Sequence, residues 1–302
     1  MENYEIQKVL ILGAGTMGLQ IGVLCAVSGF EVTVFDTFED ALNGAKARVG
    51  KLAHRLADHN RFAKEKVAGA LERISFSSDP QDAGKNVDFI SESVPEDPKI
   101  KAHVFALFHK ICPDHTIFTT NTSTLIPSMI ADATGRPDRF LALHFHDCEL
   151  TNVVDIMPHP GTSEATLDAV RNFCSAINHF PIELKKEQPG YVFNTMLSEW
   201  MGAALSLVSK GVANVEDVDR AWMGIFGSRS GPFGIMDSIG LETVYKVTDY
   251  WAKRKNDPRA LQNAFFLKEY VDRGDLGKKT GKGFYSYPEP KYLSAEFLKG
   301  IY

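Results

Sequence analysis

The stretch Gly13-Ala14-Gly15-Thr16-Met17-Gly18 decides the fold of this chain, because of what lies on either side of it. Before it, Lys8-Val9-Leu10-Ile11-Leu12 is a compact apolar run that reads as a buried parallel strand. After it, residues 17–28 are small and apolar and read as a helix. Glu31-Val32-Thr33-Val34-Phe35 then reads as a second strand ending on Asp36, 18 residues past Gly18. Strand, Gly-rich turn, helix, strand and acid is the order a dinucleotide site requires. Gly13 permits the tight turn, Gly15 lets the backbone approach a pyrophosphate, and Gly18 lets the helix pack closely on the strand. Thr16 and Met17 open that helix, whose unpaired N–H groups and positive dipole end would meet the pyrophosphate. Asp36 would accept hydrogen bonds from the adenosine ribose, and its charge would repel a 2′-phosphate. The expected cofactor is therefore NAD and not NADP.

Outward from this turn the alternation continues. Residues 39–57 and 64–71 read as helices, residues 87–90 as a strand, and residues 99–111 as a helix bounded by Pro98 and Pro113. Further strands are expected at 116–119, 140–144, 152–157 and 180–184, with a helix at 163–178. Such a pattern predicts an α/β domain, residues 1–187, with a doubly wound, mostly parallel sheet of Rossmann type. From Gln188 the character changes. Val192, Met196, Trp200, Ala203, Ala204 and Leu207 follow at helical spacing, and more helices are expected at 215–223, 240–253 and 258–273. Residues 188–302 thus form an all-helical second domain. Its apolar stripes exceed what a small bundle needs to cover itself, which predicts a homodimer through this domain.

At 302 residues the chain is long enough for two cores, and a formal charge of -5 gives no reason to expect nucleic acid or an anionic membrane as partner. No apolar run reaches membrane-spanning length. Met1-Glu2-Asn3-Tyr4-Glu5 is polar and leads almost at once into the first strand, so no signal or transit peptide is expected. Cys25, Cys112, Cys148 and Cys174 show neither metal spacing nor a disulfide framework. The expectation is four buried thiols, no metal site and a cytoplasmic protein.

Several residues can carry chemistry. His144 ends a strand, on the side of an open α/β sheet where ligands bind, and an imidazole exchanges protons near neutral pH as alcohol oxidation requires. Asp155, on the next strand, could fix its tautomer and stabilise its charged form. Thr119-Thr120-Asn121-Thr122-Ser123-Thr124 follows another strand. Ser123 could cap the segment around Leu125 or touch a substrate oxygen. Asn194, early in the long helix, could reach across the domain seam. Arg48, Lys51 and Arg55 share one face of the helix after Asp36, opposite Leu42, Val49, Leu52 and Leu56. That stripe is either a solvated face or an attractor for a polyanionic ligand tail.

Together these positions resemble the L-3-hydroxyacyl-CoA dehydrogenase family over nearly the whole length. The resemblance is carried by Ser91-Glu92-Ser93-Val94-Pro95-Glu96 with Lys99 and Lys101, Asn121-Thr122-Ser123, His144-Phe145, and Gln188-Pro189-Gly190-Tyr191-Val192-Phe193-Asn194. Gly231-Pro232-Phe233-Gly234-Ile235-Met236-Asp237 and Lys279-Thr280-Gly281-Lys282-Gly283-Phe284-Tyr285 carry it further. It implies NAD-dependent interconversion of a 3-hydroxyacyl and a 3-ketoacyl thioester, with His144 as general acid/base and Asp155 as its partner. It also implies that Ser123 and Asn194 orient the substrate oxygen and the nicotinamide, and that Glu96, Lys101 and Lys279 lie at the cofactor. After the histidine the family usually has Phe-x-Asn-Pro, where this chain has Phe145-His146-Asp147-Cys148-Glu149. Asp147 thus takes the place of an asparagine near the cofactor, and as an ionised acid it can only accept hydrogen bonds. Asp155 replaces a glutamate and stands one residue closer to the histidine than is usual. Leu52 and His59 align with a serine and a lysine that hold CoA in better-known members. A free polar hydroxy acid, as in the L-gulonate dehydrogenases related to lambda-crystallins, is the alternative substrate. A non-catalytic NAD-binding protein is the third reading.

Overall fold

The apolar run before the Gly-rich turn forms β1 (Lys8–Leu12), and α1 (Thr16–Val27), β2 (Glu31–Phe35) and α2 (Glu39–Asp58) follow. The computed structural model describes residues 6–300; Met1 to Glu5, on which the expectation of no leader rests, lie outside them. Next come α3 (Lys66–Glu72), β3 (Ile74–Ser77), α4 (Pro80–Gly84), β4 (Phe89–Glu92), α5 (Pro98–His109) and β5 (Ile117–Thr120). β6 (Phe140–Phe145), β7 (Val153–Met157), α6 (Glu164–Ala176) and β8 (Phe180–Glu183) complete the first unit. Eight strands form one sheet in the order β3-β2-β1-β4-β5-β6-β7-β8, and every pairing is parallel except β6 with β7. This is a doubly wound Rossmann sheet, and the chain reverses its winding direction between β1 and β4. Two elements escape the sequence pattern. β3 pairs with β2 but is short and carries serines at Ser75 and Ser77, and α4 has only five residues. The strand expected at residues 87–90 lies two residues later, as β4.

Helix α1 is buried on almost every side, from Gly18 to Ala26, which accounts for its small and apolar composition. Gly13 adopts a φ of +107°, and a Cβ there would lie 2.7 Å from the Ser93 carbonyl oxygen. At Gly18 a Cβ would lie 2.1 Å from the Gly13 carbonyl oxygen and 3.0 Å from Ile11. The glycine at position 18 is thus what lets α1 sit against its own turn. Helix α2 buries Leu42, Val49, Leu52 and Leu56 as its pattern predicts. All four cysteines are free and buried, and burial pushes the Cys112, Cys148 and Cys174 thiols up to about 12.

The end of β4 holds a buried ion pair. Glu92 is 0% and Lys101 of α5 1% exposed, with Nζ 2.7 Å from Oε1. The same carboxylate accepts the Val94 N–H at 2.7 Å and the Thr120 hydroxyl. Burial nonetheless pushes the Glu92 carboxyl above the usual range, against the pull of Lys101 and these hydrogen bonds.

The chain divides into two compact units, Met1–Phe193 and Asn194–Tyr302. The long helix α7 (Tyr191–Ser209) begins at their junction. The second unit continues with α8 (Val215–Phe226), α9 (Pro232–Ile239), α10 (Leu241–Lys255) and α11 (Pro258–Asp272). Its core gathers Leu205, Met223, Phe233, Met236, Leu241 and Leu267. The sequence pattern missed α9, which is short and held from outside. Asp219 of α8 accepts the Phe233 and Gly234 N–H groups at its start, at 2.8 and 3.0 Å, and the Tyr285 hydroxyl. Asp237 accepts the Phe284 and Tyr285 N–H groups and the Tyr287 hydroxyl. The Gly-rich tail is therefore tied into the core of this unit by two buried carboxylates.

Two variants test these constraints. Gly18→Ala places a methyl group against the Gly13 carbonyl; overpacking of this kind costs about 1–3 kcal/mol. A thermal melt of the variant should show the first unit unfolding roughly 3–10 °C lower. Lys101→Met leaves Glu92 buried without its cation, a loss of about 3–5 kcal/mol in denaturant unfolding. The double variant Lys101→Met/Glu92→Gln should recover most of that loss. A double variant as unstable as the single one would show that packing, and not charge, is at stake.

Candidate active site

The Gly-rich turn joins β1 to α1 at the carboxyl end of the sheet, beside the reversal point where ligands bind in such folds. No side chain caps α1 at Gly15, and no acidic residue stands in its first turn, so the positive helix end faces outward uncompensated. A Cβ at Gly15 would meet nothing within 4 Å, unlike those at Gly13 and Gly18. The turn therefore leaves room where a pyrophosphate would lie, against Thr16 and Met17. Asp36, at the end of β2, accepts the Ala14 N–H at 2.9 Å and the Phe38 N–H at 3.1 Å. These bonds hold the carboxylate beside the turn and leave lone pairs for ribose hydroxyls. The residues fit an NAD adenosine and pyrophosphate.

The catalytic candidates come from the neighbouring strands. The antiparallel register sets His144 of β6 directly opposite Asp155 of β7, so both side chains stand on the same face. His144 Nδ1 lies 3.1 Å from Asp155 Oδ2, and His144 Nε2 lies 3.2 Å from Ser123 Oγ. An ionised carboxylate only accepts, so Nδ1 carries the hydrogen and the lone pair of the neutral ring lies at Nε2, toward Ser123. His144 is 4% and Asp155 1% exposed. Burial pushes the Asp155 carboxyl up, but hydrogen bonds from His144 and His146 outweigh it and hold the group below the usual range.

Two residues here escaped sequence reasoning. His146 follows His144 by two and so lies on the same face; its Nε2 is 3.0 Å from the same Asp155 Oδ2. Period-two alternation at the end of β6 was the available signal. The three converging atoms of His144, His146 and Asp155 lie within 4.8 Å of one another, and hydrogen bonding accounts for their arrangement. Tyr191 is the second. Its ring stacks on His144 with centroids 4.5 Å apart and planes 22° apart, and its hydroxyl donates to the Thr122 carbonyl at 2.7 Å. Burial, with the charges of Glu96, Asp155 and Glu92, pushes its hydroxyl far up and keeps it neutral. Tyr191 takes a left-handed φ of +54°, uncommon for a bulky residue and found where the surroundings over-determine the backbone.

Ser123 sits in a loop after β5 that Glu96 holds together. Its carboxylate accepts the Ser123 and Thr124 N–H groups at 3.0 Å each, the Thr124 hydroxyl at 2.8 Å and the Thr122 hydroxyl. Lys101 reaches the same group at 3.3 Å. Burial pushes the Glu96 carboxyl up, and these partners together draw it below the usual range. Lys101, placed at the cofactor by the resemblance, is instead enclosed between Glu92 and Glu96 with its side chain 1% exposed. The local turn is capped by Thr122, whose Oγ1 accepts the Leu125 N–H at 3.0 Å, and not by Ser123 as the sequence suggested. Asn121 ties three strand ends together, accepting the Phe145 N–H at 2.7 Å and donating to Ser93 Oγ at 3.3 Å.

The altered loop after His144 is anchored to α1 and α2. Asp147 Oδ1 accepts from Gln20 Nε2 at 3.1 Å and from the Glu149 N–H at 3.0 Å, so this oxygen serves the turn. Gln20 Oε1 accepts the Cys148 N–H at 3.0 Å. Glu149 pairs with Arg55 at 2.7 Å, with His59 3.7 Å away. The hydrogen bond from Arg55 holds the Glu149 carboxyl below its usual range. Arg48 donates to the Gly44 and Ala14 carbonyls, so two of the three cations of the α2 stripe are engaged within the protein. Asn194 lies in the first turn of α7, and Lys279 in a short turn, Lys278–Thr280; both belong to the second unit.

The family model for the 3-hydroxyacyl-CoA dehydrogenase NAD binding domain matches residues 8–188, and that for the C-terminal domain matches residues 190–287. The mitochondrial hydroxyacyl-coenzyme A dehydrogenase of Rattus norvegicus is 32% identical over 288 residues, covering 93% of this chain and 91% of its own. A solved diketoreductase, described as acting on dicarbonyl compounds, superimposes with a TM-score of 0.86 at 38% identity, covering 93% of this chain and 99% of its own. The (S)-3-hydroxybutyryl-CoA dehydrogenase of Ralstonia eutropha does so with a TM-score of 0.83 at 30% identity, covering 94% and 100%. This chain belongs to the 3-hydroxyacyl-CoA dehydrogenase family, and its N-terminal domain is the family's NAD-binding domain.

Proposed function

We propose that this protein is an NAD-dependent L-3-hydroxyacyl-CoA dehydrogenase that interconverts a short 3-hydroxyacyl thioester and its 3-ketoacyl form. The carrying observation is the hydrogen-bonded line Asp155–His144–Ser123 at the carboxyl end of the NAD-binding sheet. In oxidation, neutral His144 takes the hydroxyl proton at Nε2. Asp155 stabilises the imidazolium through the bond at Nδ1, which strengthens as the charge develops. The Ser123 hydroxyl, held by its loop, donates to the substrate oxygen. In reduction the imidazolium returns its proton to that oxygen. NAD supplies the hydride acceptor, or NADH the donor. Stacked Tyr191 keeps the imidazole plane fixed. By family resemblance Asn194 assists in orienting the substrate, and Lys279 belongs to the cofactor side.

A second reading keeps the chemistry but replaces the thioester with a free dicarbonyl compound or polar hydroxy acid. It is favoured by the Arg55–Glu149 pair, which occupies a cation that a CoA phosphate could otherwise use, and by the similarity to the diketoreductase. Purified protein with NADH and either acetoacetyl-CoA or free acetoacetate separates the two. The first reading expects NADH oxidation with the thioester alone; turnover with the free acid alone overturns it. His144→Ala should lose about 10²–10⁴-fold in turnover while still binding NADH by fluorescence. Near-normal turnover in that variant removes the imidazole from the mechanism.

We also propose a cytoplasmic homodimer. Ile225, Phe226 and Phe265 of the helical unit are exposed, more large apolar surface than a monomer usually presents. Light scattering after gel filtration should give twice the 33.4 kDa of one chain; a monomer at micromolar concentration rejects this arrangement.

A further inference from the structure

We infer that His146 is a positioning residue which, by sharing the Asp155 carboxylate with His144, lowers the proton affinity of the catalytic imidazole. The inference rests on the proposed role of His144 and concerns what sets the pH at which that role is played.

The geometry is specific. His144 Nδ1 and His146 Nε2 both meet Asp155 Oδ2, at 3.1 and 3.0 Å. The two rings stand edge to face, with centroids 4.7 Å apart and planes 70° apart. Each must donate an N–H to this oxygen, because the carboxylate only accepts. Asp155 is buried, so little of its charge is screened by water. A hydrogen bond from His146 therefore stabilises the carboxylate and weakens its hold on a proton at His144. One carboxylate can compensate one imidazolium, so the two rings compete for the same oxygen.

Among the described residues, the groups packed around the two rings offer no other charge in place of Asp155. From α7, the Tyr191 ring that covers His144 is neutral, with Glu96 and Glu92 acting on it electrostatically. Phe193 meets the His146 ring edge-on, with centroids 5.5 Å apart. On the loop beyond, Asp147 is bonded to Gln20, Glu149 is paired with Arg55, and the Cys148 thiol, neutral in its buried site, donates to the His146 carbonyl. Ser123 contributes only a hydroxyl.

The direction of the effect follows. In His146→Phe the whole carboxylate charge acts on His144, which then holds its proton to higher pH. Oxidation needs the neutral ring, so its acidic limb moves up and oxidation slows near neutrality. Reduction needs the imidazolium, so its alkaline limb also moves up, and reduction near neutrality is maintained or gains. A merely structural loss would depress both directions together. In His146→Gln the side-chain amide can still donate to Asp155, so both limbs should stay in place.

The first readout requires no substrate. Nitrogen-15 NMR of the histidine rings, recorded from pH 5 to 9 on the full-length protein, follows the His144 titration directly. His146→Phe should raise its midpoint by about half to one pH unit, the order expected when one hydrogen bond to the charged partner is removed. His146→Gln should leave it within about a quarter of a unit on the same basis. An unmoved midpoint in the Phe variant overturns the inference, as does a Gln variant that shifts as far as Phe. Should the Phe variant fail to fold, the wild type decides. Coupled rings give resonances that each follow both protonation steps, and two independent single-step curves reject the sharing. The limbs of kcat/KM in both directions should then move with the NMR midpoint. A shifted midpoint without turnover of thioester or free acid would refute the proposed dehydrogenase role while leaving the shared carboxylate established.

Discussion

The antiparallel pairing of β6 with β7 is the constraint on which the site depends. In an otherwise parallel sheet it turns β7 back alongside the strand that carries the imidazole. Cross-strand register then sets Asp155 opposite His144, and strand periodicity sets His146 on the same face. A slip of one residue would send Asp155 to the other side of the sheet and leave a buried carboxylate unpartnered. The register is secured from both faces: Val154 and Ile156 point away from Asp155 into the core shared with α1 and α6, while Met157 packs with Ala142, Leu184 and Tyr191. Hydrophobic patterning thus fixes a polar contact whose own net contribution to stability is small.

A second layer holds the side of the site that carries Ser123. Glu92, Lys101 and Glu96 form a chain of charges from the end of β4 to the loop that presents Ser123. Burying such a chain is costly, and an apolar replacement of equal volume would stabilise the fold as well or better. What the charges provide is direction. Glu96 fixes two consecutive backbone N–H groups and two hydroxyls, so the loop has one conformation in which the Ser123 hydroxyl meets His144 Nε2. Asn121 adds the link between that loop and the end of β6. The position of Ser123 relative to His144 is therefore set by bonds between neighbouring strand ends.

Most of the fold was legible because it rests on local pattern. The Gly-rich turn, the apolar strands and the amphipathic α2 each announce themselves within a dozen residues. β3, α4 and α9 did not, for physical reasons: β3 is a polar edge strand, α4 is one turn long, and α9 is defined by Asp219 reaching over from α8. In the site, family resemblance marked His144 and Asp155, but no sequence rule gave their register. Tyr191 stayed invisible because its contacts lie at long sequence separation, whereas His146 was signalled only by its two-residue spacing from His144. Of the two roles open to Ser123, the cap fell to Thr122, and the Ser123 hydroxyl meets His144, a contact 21 residues away in the chain.

The loop Phe145-His146-Asp147-Cys148-Glu149 departs furthest from the family pattern, and it is anchored to the rest of the first unit. His146 is bonded to Asp155, Asp147 and Cys148 to Gln20, and Glu149 to Arg55. Gln20 and Arg55, which hold Asp147, Cys148 and Glu149, come from α1 and α2, the helices on either side of β2. The connection between His144 and Asp155 is one residue shorter than the family resemblance implies, and the His144–Asp155 and His144–Ser123 distances are nevertheless both within hydrogen-bonding reach. The same Glu149 that anchors the loop also neutralises a cation on α2. One side chain thus ties the loop to the helix and takes up a positive charge of the Arg48, Lys51 and Arg55 stripe.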